Sequence, residues 1–168
     1  GELCHSLSFA ALAEKRDPDS NNFDLAPLRG ARLVIADESN RKDRLNGGKL
    51  KALTGGNHIH CAFKGKDFFS YRPSFKVLMI SNWPPNCDPD DDAAWGRLRV
   101  VEFPNSHLND EDLSIKEKFK ADEYQEALLK WCVLGAIELH QIGGRIATVP
   151  QIKTSTHEAR NALDTIQQ

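Results

Sequence analysis

The sequence has few cysteines, no long apolar run and no excess of either charge. Its four cysteines are far apart and include no C-x-x-C pair, which argues against a zinc knuckle or a thioredoxin-type redox site. The apolar runs are short and interrupted by charge, so we predict no membrane span and no signal peptide. A net charge of −2 over 168 residues indicates neither an acidic tail nor a general affinity for nucleic acid. These absences favour a globular protein in a reducing, cytoplasmic setting.

The basic residues of the chain are concentrated in one stretch. Residues 41–76 contain nine basic residues and only two acidic ones. Within this stretch, two short alternating segments, His58 to Phe63 and Asp67 to Tyr71, flank Lys64 and Lys66, which predicts a β-hairpin with a basic tip. Lysines on a projecting loop can contact phosphates, and nearby aromatic rings can stack on bases, so the hairpin is a candidate surface for single-stranded nucleic acid. The alternative is a solvated turn over buried phenylalanines.

Three short apolar runs predict the strands of a sheet. Leu33 to Ala36 and Lys76 to Ser81 are continuous apolar runs, typical of parallel strands that are buried on both faces. Arg99 to Phe103 is a third candidate, which Pro104 ends. The sheet is therefore expected to be covered on both sides.

Helical spacing of apolar residues predicts the remaining elements. The predicted helices are Ser6 to Lys15, Leu45 to Leu53, Tyr124 to Ile142 and Ile152 to Ile166. Since the strands come first and the longest helices last, we predict a three-layer α/β fold with a helical C-terminal region.

Polar residues follow two of the predicted strands. Asp37 and Glu38 come directly after the first strand, at its carboxyl end, where ligands of open α/β sheets bind. Two adjacent carboxylates can divide two tasks, since one can hold hydrated Mg²⁺ while the other activates a water molecule. Asn82 follows the second strand, and a parallel arrangement brings its amide to the same edge. The plain alternative is that these residues only mark the points where strands leave the sheet.

Two arginines and two histidines are further candidates. Arg97 and Arg99 offer permanently charged donors that suit a developing phosphoryl charge. The alternative is a pair of surface arginines that balances the negative charge of the acidic loop Asp88 to Asp92. His58 and His60 alternate along one predicted strand, but without a third ligand at suitable spacing they do not predict a metal site.

In combination, five segments resemble the superfamily 3 helicases of the AAA+ class, in particular the C-terminal helicase domain of phage and plasmid primase-helicases of the satellite-phage type. The matching segments are LRGARLVIADE (Leu28 to Glu38), KLKALTGGNHI (Lys49 to Ile59), SYRPSFKVLMISNWPP (Ser70 to Pro85), DDAAWGRLRVVEFP (Asp91 to Pro104) and LLKWCVLGAIEL (Leu128 to Leu139). They follow one another in the expected order over most of the chain.

The resemblance implies a partial AAA+ core, similar to P-loop NTPases, over residues 1–107 and a C-terminal helical subdomain over residues 108–168. It implies an ATP-dependent replicative DNA helicase of a phage, prophage or plasmid. Such a protein is expected to form a ring, as a hexamer, and to move along single-stranded DNA in the cytoplasm of a bacterial host. A primase domain in the same polypeptide is a further expectation.

The resemblance also implies roles at an ATP site. Asp37 binds, through water, the Mg²⁺ ion that accompanies ATP, and Glu38 activates the attacking water. Asn82 becomes the sensor at the end of the neighbouring strand. Arg97 reaches into the ATP site of the neighbouring subunit, and Arg99 is the second candidate for this contact.

The predicted hairpin corresponds to the loop that tracks single-stranded DNA in this family. The resemblance therefore assigns Lys64, Lys66 and His60 to DNA contacts. The sequence departs from the family's pattern at Ala62, where an arginine is usual, and at Gly96, where the first of two arginines is common.

The phosphate-binding motif G-x-x-x-x-G-K-[ST] does not occur in the 168 residues. In the family this motif lies just upstream of the segment that residues 1–15 resemble. We therefore expect it upstream of Gly1 in the complete protein, and we expect the chain alone to be a poor ATPase. The alternatives are a DNA-binding or oligomerisation module that has lost catalysis, an inactive prophage remnant and, less favoured, a metal-dependent nuclease.

Overall fold

The computed structural model describes residues 3–14, 22–37, 43–106, 111–144 and 149–164. Five strands and five α-helices lie in this part of the chain. Their order is β1 (Cys4–Ser8), β2 (Leu33–Asp37), α1 (Gly47–Thr54), β3 (Ile59–Cys61), β4 (Phe69–Tyr71), β5 (Lys76–Ile80), α2 (Asp92–Trp95), α3 (Ile115–Lys118), α4 (Asp122–Gln141) and α5 (Pro150–Asp164). The predicted α/β class is confirmed.

β1, β2 and β5 form a parallel sheet in which β2 is the central strand. The register pairs Asp37 with Ser8 on one side and with Ile80 on the other. The carboxyl ends of the three strands therefore lie at one edge of the sheet. The strands predicted at Leu33 to Ala36 and Lys76 to Ser81 are confirmed, and they pair in parallel.

The two faces of the sheet differ in burial. Val34 and Ala36 of β2 point into the core and are fully buried. The opposite face carries Leu78 and Ile80 of β5, whose side chains are 50% and 56% exposed. The prediction that both strands are buried on both faces is therefore wrong, because this face of the described sheet is open to solvent along β5 and also at Leu33 of the central strand β2, which is 36% exposed.

The helix predicted over Ser6 to Lys15 is wrong in its described part, residues 6–14. β1 occupies the first residues, and only Phe9–Ala11 form a single turn of 3-10 helix. Ser8 caps this turn, since its Oγ accepts a hydrogen bond from the amide of Ala10 at 3.3 Å. Backbone pairing with β2 overrides the helical pattern because helix propensity is a weak preference beside tertiary structure.

The strand predicted over Arg99 to Phe103 is also wrong, since these residues pair with no strand in the described part of the chain. The amide of Val100 instead donates a hydrogen bond to Oγ1 of Thr156 on α5, at 3.0 Å. Val101 is exposed to solvent. An apolar run alone does not supply the neighbour that a strand requires.

The hydrophobic core lies between the buried face of the sheet, α1, α2 and the β3–β4 pair. Its largest fully buried side chains are Leu12, Leu28, Leu45, Val34, Cys61 and Cys87. The helix predicted at Leu45 to Leu53 is confirmed as α1, which begins after Asn46. The side chain of Asn46 accepts a hydrogen bond from the amide of Lys49 at 2.9 Å and so caps the helix.

Two compact units divide the chain, one of Gly1–Val100 with Thr154–Gln168 and the other of Val101–Lys153. The second unit contains α4, which confirms the helix predicted at Tyr124 to Ile142. Gly143 and Gly144 follow α4 with φ of 72° and 75°, as expected for a helix stop. The boundary predicted after residue 107 falls outside the described residues and stays a prediction.

The helices outside the core confirm further predictions. α5 confirms the final predicted helix as far as residue 164, where the described chain ends, and its Ala159 is buried in the core of the first unit. Apolar side chains of α4 are exposed: Leu128, Leu129, Trp131, Val133, Leu134 and Ile137. None of the helices in the described ranges is long and apolar enough to cross a membrane.

Candidate functional site

The edge of the sheet where the strands end holds the first group of predicted site residues. Asp37 is the last residue of β2, and Asn82 lies two residues beyond the end of β5, exposed to solvent. Because Asp37 pairs with Ile80, the backbone positions of Asp37 and Asn82 are at the same edge. Glu38 lies outside the described residues. The catalytic and Mg²⁺-binding roles of these residues stay predictions.

Arg97 and Arg99 follow α2 and are exposed, and backbone carbonyls hold their guanidinium groups. Nη1 of Arg97 donates to the carbonyl oxygen of Ala93. Nη1 of Arg99 donates to the carbonyl oxygens of Gly96, at 3.0 Å, and of Leu98, at 2.7 Å. Within the described part of the chain, neither arginine forms an ion pair with a carboxylate. Among the described residues, no carboxylate therefore neutralises their positive charge.

The acidic loop Asp88 to Asp92 is balanced by other cations. Its ion pairs are Arg44 Nη2 to Asp88 Oδ2 at 3.7 Å, Lys51 Nζ to Asp91 Oδ2 at 2.8 Å and Arg160 Nη2 to Asp92 Oδ1 at 2.6 Å. The hydrogen bonds from the Lys51 ammonium and from the Ala94 amide hold the pKa of the Asp91 carboxyl below its ordinary value of 3.8. The negative charge of this loop is therefore balanced without Arg97 and Arg99.

The second group of predicted site residues lies on the hairpin of β3 and β4, which the sequence predicted correctly. The amide of Lys66 donates to the carbonyl oxygen of Phe63 at 2.9 Å and closes the turn. Gly65 in this turn has a φ of 75°, a conformation that glycine adopts without strain. Lys64 and Lys66 are exposed, and among the described residues neither is in an ion pair. The tip therefore presents two free ammonium groups to solvent.

The inner face of the hairpin is built from a column of neighbouring aromatic rings. The ring centroids of Phe63 and Phe69 are 5.7 Å apart and those of Phe69 and Tyr71 are 6.2 Å apart. The Arg29 guanidinium lies 5.5 Å from the centroid of the Phe69 ring, and the Tyr71 hydroxyl donates to the carbonyl oxygen of Leu25 at 2.7 Å. Burial raises the pKa of Tyr71 to about 12. This column fixes the hairpin on the 3-10 segment Phe23–Leu28.

The outer face of the hairpin is polar apart from one ring. His60 pairs with Ser70 across the two strands, and the Ser70 hydroxyl is 3.1 Å from Nε2 of His60. Phe68 directly precedes β4 and is 61% exposed, while Phe63 at the tip is 48% exposed. The alternative of a turn over buried phenylalanines is therefore wrong, because Phe68 is mostly exposed and Phe63, although it stacks on Phe69, is about half exposed.

One residue that shapes this surface has no signal in the sequence. Arg29 is distant from the hairpin in sequence, and no local pattern indicates that it lies over Phe69. Phe68 is one of the aromatic residues close to the basic tip, and its exposure distinguishes it from Phe69, which packs against the core.

The residues that the structure describes give no support for a metal site formed by protein ligands alone. They contain no group of three or more His, Cys, Asp or Glu side chains placed to hold an ion. Asp37 and Asn82, whose backbones lie at the sheet edge, are a carboxylate and an amide residue, and these oxygen donors are ligand types that suit hydrated Mg²⁺.

Comparison with known proteins gives a family and relatives. A model described as "Family of unknown function (DUF5906)" matches residues 2–99. Three relatives are each named "Putative helicase". The relative from Acanthamoeba polyphaga mimivirus is 31% identical over 119 residues, which is 70% of this chain and 12% of the relative. The relative from Invertebrate iridescent virus 3 is 33% identical over 111 residues, 64% of this chain and 12% of the relative.

The third relative, from Sputnik virophage, is 29% identical over 94 residues, 53% of this chain and 12% of the relative. The chain thus spans about an eighth of the length of each of these relatives. The predicted similarity to helicases is confirmed at this level, and the relatives are proteins of viruses and a virophage.

Proposed function

The chain belongs to the family of unknown function DUF5906, and we propose that it is part of the motor of a DNA helicase of a virus or another mobile element. The complete protein hydrolyses ATP and moves along single-stranded DNA, and we assign it to superfamily 3 of the AAA+ class. One observation carries the proposal: the parallel register brings the ends of β2 and β5 to one sheet edge. The basic hairpin is inserted in the chain between these two strands.

The residues at the sheet edge fit ATP with hydrated Mg²⁺. Asp37 orients the water shell of the metal ion, and Glu38 accepts a proton from the attacking water. Asn82 donates a hydrogen bond that fixes a phosphate oxygen or this water. ATP, when bound, supplies the free energy that moves the protein along DNA. The 168 residues contain no G-x-x-x-x-G-K-[ST] motif, so we propose that another segment of the complete protein supplies the phosphate-binding loop.

Arg97 completes the ATP site of the neighbouring subunit, with Arg99 as the second candidate. This proposal is supported by their exposure and by the absence of an ion pair to a carboxylate within the described residues. It requires self-association into a ring, for which we propose a hexamer. Residues 1–107 are the motor core and residues 108–168 the helical subdomain. A primase domain in the same polypeptide is part of the proposal.

The hairpin contacts single-stranded DNA through Lys64, Lys66 and His60. Two unpaired ammonium groups on a tip bind phosphates without reading sequence, because phosphate is common to all nucleotides. His60 lies on the exposed face of β3 and adds a hydrogen-bonding group on the outer face of the hairpin. The hairpin thereby couples the motor to the strand that it moves along.

The test is the substitution Glu38→Gln in the complete protein. We expect ATP turnover to fall to background, because the amide cannot accept the proton of the attacking water, while ATP binding is kept. Glu14→Gln is the matched control, since Glu14 is a half-exposed partner of Arg44 in a long ion pair of 3.5 Å. Equal turnover in Glu38→Gln and the parent would contradict the base assignment. A parent that binds DNA without hydrolysing ATP would instead identify a binding module.

A further inference from the structure

The two faces of the hairpin carry aromatic rings in different surroundings. On the inner face, Phe63 stacks on Phe69 and so belongs to the column that ends at Tyr71. On the outer side, Phe68 is 61% exposed and has no ring partner among the described residues. Stacking on Phe69 therefore explains the position of Phe63, whereas Phe68 has neither a ring partner nor a place in the core cluster of the described residues.

We propose that Phe68 stacks on a base of the single-stranded DNA whose phosphates the lysines of the hairpin bind. The proposal rests on the proposed function, because it requires that the hairpin contacts DNA. It adds a second kind of contact, which is made to the base and not to the backbone. Phe68 has no role in the proposed ATP site or in the proposed phosphate contacts. Phe68 is a DNA-binding residue in this proposal and not a catalytic one.

The placement of Phe68 suits a single nucleotide. Phe68 lies two residues after Lys66, so their Cα atoms are at most about 7 Å apart. One nucleotide can therefore place its phosphate at Lys66 and its base on the Phe68 ring. His60 and Ser70 occupy the same outer face and leave it polar and accessible around the ring. Proteins that hold single strands combine cations for the backbone with aromatic rings for the bases in this way.

Stacking of this kind tolerates any sequence, because every base presents a π-face. A hairpin that held only phosphates would bind any flexible polyanion of similar charge. A hairpin that also stacks on a base distinguishes a nucleic acid from such a polyanion, and it resists the loss of affinity that salt causes for phosphate contacts alone. The proposal thus predicts a preference that the lysines cannot produce.

The experiment compares two fluorescent single strands with the full chain. One is an oligothymidine of about 16 nucleotides, long enough for one binding site. The other is an abasic strand of equal length and charge. The measured quantity is the ratio of the two dissociation constants, obtained by fluorescence anisotropy. We expect the parent to bind oligothymidine more tightly, and we expect Phe68→Leu to lose about 5- to 150-fold in affinity for oligothymidine alone.

Matched variants separate stacking from structure. Phe68→Trp keeps an aromatic face and is expected to retain the ratio of the parent. Phe63→Leu makes the same chemical change on the inner face, and we expect it to lower thermal stability while leaving the ratio unchanged. Replacement of Lys64 and Lys66 by Ala is expected to weaken both strands equally, because both strands carry the same phosphates.

Each result has a definite meaning. An unchanged ratio in Phe68→Leu would overturn the stacking proposal and leave the lysine contacts standing. A fall of the ratio in Phe63→Leu equal to that in Phe68→Leu would overturn the assignment to Phe68. If the parent binds neither strand, the proposed DNA contact of the hairpin fails, and the stacking proposal fails with it.

Discussion

Tyr71 joins the hairpin to the body of the first unit, because its buried hydroxyl donates to the carbonyl oxygen of Leu25 at 2.7 Å. We expect Tyr71→Phe to lower the free energy of unfolding by about 1–2 kcal/mol, since it removes one hydrogen bond and leaves a buried carbonyl without this donor. Urea unfolding at neutral pH measures this loss. Tyr124→Phe is the control, because Tyr124 is exposed and its substitution is expected to change little.

The pH dependence of the same variant follows from the raised pKa of Tyr71. The hydroxyl loses its proton near pH 10 in the unfolded chain and near about 12 in the folded one. The free energy of unfolding therefore falls as the pH rises through this window, by at most about 1.4 kcal/mol per pH unit. Phenylalanine does not titrate, so the difference between parent and Tyr71→Phe is expected to shrink above pH 10. A constant difference up to pH 12 would contradict the buried hydroxyl.

At the same scale, the sequence located part of the candidate site. The positions of Asp37 and Asn82 follow from two strand ends, and the parallel register brings their backbones to one edge. Arg29 could not be placed, because a contact between a guanidinium and a ring distant in sequence depends on the folded chain. The ion pairs of Asp88 to Asp92 were missed for the same reason, since Arg160 comes from α5.

At the scale of elements, the hairpin depends on its turn. Gly65 has a φ of 75°, and a Cβ added there would have no atom within 4 Å. We expect Gly65→Ala to lower the free energy of unfolding by about 1–2 kcal/mol through backbone strain alone. Gly65→Asn is the matched variant, and it is expected to cost less because asparagine tolerates this conformation. Thermal unfolding of both variants provides the measurement, and equal stability of Gly65→Ala and the parent would contradict the left-handed conformation of residue 65.

The elements that were predicted correctly depend on local pattern. The hairpin, α1 and α4 each follow from alternation or helical spacing within a short segment. The two failures depend on distant partners. Cys4–Ser8 becomes a strand because β2 offers it a parallel neighbour, and Arg99 to Phe103 does not become one because the described chain offers none. Neither neighbour can be identified from the local segment itself.

At the scale of the whole molecule, the proposed ring predicts complementation between inactive subunits. Glu38→Gln and Arg97→Ala are each expected to abolish ATP turnover in the complete protein. In a mixture, some interfaces combine the intact Glu38 of one subunit with the intact Arg97 of its neighbour, and these sites are expected to regain turnover. The measurement is ATPase activity as a function of mixing ratio. The absence of recovery in mixed rings would contradict the contribution of Arg97 across the interface.

The insertion of the hairpin between β2 and β5 has a consequence for the order of folding. Pairing of Leu33 with Lys76 closes a long loop, and the entropy of that closure is lost before any sheet contact compensates for it. The hairpin closes over a few residues, on the scale of microseconds, and gains its stability by docking on the preceding segment Phe23–Leu28. We therefore expect the hairpin to form early during synthesis, while β5 joins last and completes the edge where Asp37 and Asn82 lie.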